Sequence, residues 1–101
     1  MTIAAGIELP ESAIADICRL HEVKELSLFG SAARGEMRPD SDFDLLVDFL
    51  PGARPGLLGV SAMTRELGNL LGRRVDLAVK PVLKPSIRSS VLAEARLIYA
   101  A

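Results

Sequence analysis

The sequence predicts a small α/β (α+β) domain, a mixed β-sheet with helices packed on one face and carboxylates on the other side or at its rim. Apolar residues alternate at period two in short runs near 23–29, 43–49 and 74–79, as strands with one buried face require. Between the last two runs, Leu57, Val60, Met63, Leu67, Leu70 and Leu71 recur at helical spacing. The 101 residues, 50% of them hydrophobic, suffice for one domain, residues 1–101, with its own core.

Residues 10–21 read as the first helix. Pro10 suits a first helical position and Glu11 complements the positive end of the helix dipole. Ile14, Ile17 and Cys18 share a face that should be inward, which makes Cys18 a buried apolar residue rather than a nucleophile. His21 is expected at the surface or as a cap, because the chain has no second histidine to pair with it. Val23 to Phe29 is the first strand, with Leu26 and Leu28 on one face. Gly30-Ser31 follows as a turn that can open a helix. Pro39-Asp40-Ser41 is turn chemistry that delivers the chain to a second strand. Residues 50–56 form a breaker-rich loop before the long helix, which Gly72 ends. Arg74 to Val79 is the third strand, with Val75, Leu77 and Val79 on one face and Asp76 on the other. Lys84 to Glu94 is a final helix with Ile87, Val91, Leu92 and Ala95 inward, and residues 96–100 a short edge strand in which Tyr99 packs.

Composition excludes several classes of function. Twelve basic and thirteen acidic residues give a formal charge of −1, so the basic face of a nucleic-acid binder is not expected. Three phenylalanines, one tyrosine and no tryptophan make a base-stacking platform equally unexpected. One cysteine permits no internal disulfide and fits a reducing compartment. The first eight residues lack a signal-peptide pattern, and no charge-free apolar run reaches membrane-spanning length, so a cytoplasmic domain without membrane contact is expected.

The chemistry concentrates in residues 26–49. Side chains alternate along a strand, so Asp42 and Asp44 project from one face while Phe43, Leu45, Val47 and Phe49 line the other. Two adjacent carboxylates repel unless a proton or cation relieves them, and a hard divalent ion such as magnesium is the natural partner. Gly30 allows close backbone approach, and Ser31 can accept a cap bond or donate to phosphate. Arg34 and Arg38 can reach a phosphate or remain solvated surface charges. Asp76, alone among apolar strand neighbours, is either bridged to Arg73 or Arg74 or part of the site. Asp40, Asp42 and Asp44 imitate the start of a calcium loop, but Leu45 and Pro51 stand where that loop needs Gly and Glu. The chain has no Gly-x-x-x-x-Gly-Lys-Ser/Thr phosphate loop, and one Cys with one His makes zinc unlikely.

What survives is Gly30-Ser31, ten intervening residues, Asp42-x-Asp44 and the later strand Asp76. This combination resembles the nucleotidyltransferase superfamily related to DNA polymerase beta, and more closely its minimal nucleotidyltransferases. Phe29-Gly-Ser-Ala-Ala-Arg-Gly35, Arg38-Pro-Asp-Ser-Asp-Phe-Asp-Leu-Leu-Val47 and Gly72-Arg-Arg-Val-Asp-Leu77 carry the resemblance. It implies a polymerase-beta-like fold and a catalytic, metal-binding trio of Asp42, Asp44 and Asp76 holding two magnesium ions. Gly30, Ser31, Arg34 and Arg38 would grip the phosphates of ATP. It further implies a helical HEPN-domain toxin as partner, in a possible hetero-oligomer. The chain would act as antitoxin, transferring AMP to a toxin hydroxyl. Neutralisation by occlusion alone and nucleotidyl transfer to a small molecule are the alternatives.

Overall fold

The computed structural model describes residues 1–4 and 6–101. In chain order the elements are α1 (Glu11–Leu20), β1 (Val23–Phe29), α2 (Gly30–Arg34), β2 (Phe43–Phe49), α3 (Gly56–Leu71), β3 (Val75–Val79), a 3-10 turn (Lys80–Val82), α4 (Pro85–Glu94) and β4 (Arg96–Ala100). The strands form one mixed sheet in the order β3-β2-β1-β4. β1 runs antiparallel to both β2 and β4, whereas β2 and β3 are parallel. That parallel pair needs a long crossover, which α3 provides.

Register places the expected apolar faces side by side. Leu26 pairs with Val47 and Leu28 with Leu45 across β1 and β2, and Leu45 meets Leu77 across β2 and β3. This face forms the core with Ile14 and Cys18 of α1, Met63 and Leu67 of α3, and Ala32 of α2. Cys18 has no exposed surface, and burial pushes its thiol up to about 12, so it is packing material and inert as a nucleophile. Tyr99 packs against the same core, as expected.

Two expectations need correction. Leu57 is not inward: it is 82% exposed and its neighbour Leu58 86%. The sixteen residues of α3 span about 24 Å, whereas the five of β3 span about 17 Å, so the first turn overhangs the sheet. Ile87 and Leu92 are also largely exposed, and Val91 is the buried residue of α4. The end of α4 faces the second side of the sheet, where Leu92 and Ala95 border a small cavity with Glu25, Ser27, Leu46 and Asp48. That face offers little apolar surface for a helix to bury. His21 is the C-cap of α1, one of the two places expected for it. Its backbone N–H closes α1 on the Ile17 carbonyl, while its Nε2 meets both Glu66 carboxylate oxygens at 3.1 Å, tying the end of α1 to α3. Among the described residues, no helix is long and apolar enough to cross a membrane.

Candidate active site

The site is built where β1 ends and β2 begins. Phe29 pairs with Asp44, and on the other side Asp44 pairs with Asp76 of β3, so one register line carries the chain break into α2 and two of the three carboxylates. Residues paired in register point to the same face of a sheet, and Asp42 shares that face by alternation. Asp42 and Asp76 are exposed while Asp44 is half-buried between them. Burial, then the neighbouring charges of Asp76 and Asp42, raise the Asp44 carboxyl above its ordinary value. Asp44 and Asp76 are thus register neighbours, with Asp42 near enough for its charge to act on Asp44.

Gly30 is required here twice over. Its φ of +66° is left-handed, and a Cβ would lie 3.1 Å from Asp44 Cγ and closer still to the carboxylate oxygen. Only glycine lets the backbone pass this close to the acid. Ser31 follows as the second residue of α2. Gly35, at φ +73°, ends α2 in the left-handed conformation and turns the chain toward the 38–41 loop.

That loop is stapled by a residue whose role the sequence left open. Arg73 Nη1 donates to the carbonyls of Arg38 (2.8 Å), Ser41 (3.2 Å) and Pro39 (3.3 Å). Its guanidinium also lies 5.6 Å from the Phe43 ring centroid. The Ser41 hydroxyl meanwhile accepts from the Arg38 amide at 2.8 Å. Together these bonds fix the entry to Asp42. Asp76 is therefore not bridged to Arg73, and Arg74 turns to Asp42 instead, at 3.7 Å in an exposed pair of little energetic weight. Among the described residues, Asp76 makes no ion pair with either arginine.

The arginines differ. The Arg38 side chain is exposed and makes no hydrogen bond or ion pair among the described residues. Arg34 is engaged by two carboxylates, Glu36 at 3.1 Å and Glu94 at 3.1 Å, which raise its pKa. Glu94 also accepts from the Gly30 amide at 2.6 Å. Sequence reasoning missed Glu94, because its partners lie 60 and 64 positions away. One signal was present: a glutamate as the last residue of a helix opposes the negative end of the dipole and needs an external donor.

Magnesium is the ion this donor set would take: hard oxygen ligands, with mutual repulsion for a cation to relieve. Among the described residues, no three His, Cys, Asp or Glu side chains converge closely enough to hold a metal unaided.

Against known proteins, the nucleotidyltransferase domain family matches residues 11–98. The chain belongs to that family. It is 47% identical over 72 residues to the protein adenylyltransferase MntA of Thermococcus cleftensis, covering 71% of each chain. A solved structure of a candidate minimal nucleotidyltransferase superposes with a TM-score of 0.72 at 42% identity, covering 85% of this chain and 86% of the other. The match to a complex of a tri-AMPylated Shewanella oneidensis HEPN toxin with an MNT antitoxin has a TM-score of 0.65 at 17% identity, over 90% of this chain and 70% of that one, and bears on the fold alone. The chain is a minimal nucleotidyltransferase, and its four-stranded mixed sheet is the fold of that family.

Proposed function

We propose that this chain transfers AMP from ATP to a hydroxyl on a partner protein, a helical HEPN-type toxin that it thereby neutralises as antitoxin. The observation that carries the chemistry is the register line Phe29–Asp44–Asp76, which sets two carboxylates beside the Gly30 turn, with Asp42 on the same face. The name of the Thermococcus relative supports AMP as the group transferred, and the AMPylated toxin complex supports a HEPN protein as acceptor.

In this reading the Gly30 amide, the Ser31 hydroxyl and the Arg34 and Arg38 guanidiniums hold the phosphates of ATP. Donors fixed by backbone need no reorganisation as charge shifts onto the leaving group. Asp42, Asp44 and Asp76 would hold magnesium, which supplies charge neutralisation for the leaving pyrophosphate and eases deprotonation of the acceptor. The acceptor oxygen bonds to the α-phosphorus, the bond from that phosphorus to the bridging oxygen breaks, and pyrophosphate leaves with the electron pair. Asp76, exposed on the outer strand, stands on the side open to an incoming hydroxyl and favours loss of its proton.

Incubation with ATP labelled at the α-phosphate, with magnesium and a co-purified partner, tests the proposal. Label should pass to the partner and not appear when the partner is omitted. Neutralisation of the partner without any label transfer would return the chain to the role of an occluding binder, and transfer to a small molecule would replace the protein acceptor.

A further inference from the structure

Glu94 closes on two of the groups that the proposed function assigns to the triphosphate. Its Oε1 accepts from the Gly30 amide at 2.6 Å, and Arg34 Nη1 donates to Oε1 and Oε2 at 3.2 and 3.1 Å. A carboxylate on a backbone N–H and a guanidinium is chemically the same arrangement as a phosphate on those donors. Gly30 has one N–H, so Glu94 and a phosphate oxygen compete for it. Arg34 is similarly committed, since its Nε is held by Glu36 at 3.1 Å.

The element that carries Glu94 is lightly anchored. Val91 is the buried residue of α4, Ile87 is 47% and Leu92 38% exposed, and the Glu94 side chain itself is 30% exposed. The hydrogen bonds found for the Glu94 side chain are those to the Gly30 amide and Arg34, the donors it shares with the proposed ligand. Its place as the last residue of α4 also sets it against the dipole of its own helix, so these donors offset an unfavourable position.

We propose that Glu94 is an internal competitor of the triphosphate. It holds the Gly30 amide and Arg34 in the nucleotide-free protein and leaves when nucleotide binds. This rests on the assignment of Gly30 and Arg34 to the phosphates. Apparent affinity is then lowered by the fraction of molecules with Glu94 seated, and a seated population of about 90% costs roughly tenfold.

Titration calorimetry of wild type, Glu94→Gln and Glu94→Ala tests this, using magnesium with ATP and, separately, with inorganic tripolyphosphate. Thermal melts establish that each variant is folded. Both variants should bind ATP about five- to twentyfold more tightly than wild type. Tripolyphosphate should show a similar ratio, because the competition is at the phosphates and not at base or sugar. The gain should shrink in an Arg34→Gln background, since the two residues act through one contact. If wild type binds and both folded variants bind equally or more weakly, Glu94 is a positioning residue for Arg34 and the competitor role is overturned, with the nucleotide site intact. If no protein binds either ligand, the competitor role and the nucleotide assignment both fall.

Discussion

Asp44 is the residue on which the site's electrostatics turn. It is flanked by Asp42 and Asp76, and burial together with those charges holds its carboxyl above the ordinary carboxylate range. A raised carboxyl pKa means that the folded chain binds more protons than the unfolded one across the window between the two values. Stability therefore falls as pH rises through that window, and the penalty is fully present above it. In metal-free buffer, Asp44→Asn should melt at a higher temperature than wild type at pH 7, and the gap should narrow as pH approaches about 4, the ordinary carboxylate value. A variant less stable than wild type at pH 7 would mean that the charge is compensated by contacts other than the expected cation. The same crowding accounts for Gly30, where any Cβ would meet the Asp44 carboxylate.

Among the elements, α3 and α4 divide what periodicity can and cannot report. The α3 stripe is correct at Met63 and Leu67, which are fully buried, and fails at Leu57, which overhangs the sheet. Spacing identifies a helix's apolar face, but the length of the strand beneath it decides which turns of that face are covered. Met63→Ala should therefore cost about 2–5 kcal/mol in denaturant unfolding. Leu57→Ser should change stability by no more than about 0.5 kcal/mol. Equal losses would place the overhanging turn in the core. For α4 the failure has a different source. Ile87 and Leu92 look inward by spacing, but both are exposed, and the cavity beside Leu92 is lined largely by Glu25, Ser27, Asp48 and Lys80, with Leu46.

At the scale of the whole molecule, the order of elements and the gathering of Asp42, Asp44 and Asp76 were legible in sequence because both depend on local patterns. Strand alternation fixes which residues share a face, and the Gly30-Ser31 turn fixes where the chain breaks. Contacts across the sheet were not legible. Glu94 on the Gly30 amide, Arg73 on the 38–41 carbonyls and His21 on Glu66 each join residues more than thirty positions apart. Nothing local in their spacing specifies such pairs. The contacts of the two arginines beside Asp76 are of the same kind, Arg73 reaching loop carbonyls and Arg74 reaching Asp42.

Asp76 also offers the most direct test of the central claim, that the three carboxylates form one site for AMP transfer. The measurement is magnesium-dependent transfer of α-phosphate label from ATP to the co-purified partner by Asp76→Asn, at a folded concentration matched to wild type and alongside its ATP affinity. An interaction made chiefly in the transition state affects turnover without weakening substrate binding. The predicted result is ATP affinity close to wild type with no detectable label on the partner. Labelling at the wild-type rate by Asp76→Asn would contradict the account and leave Asp42 and Asp44 as the whole of the acidic site.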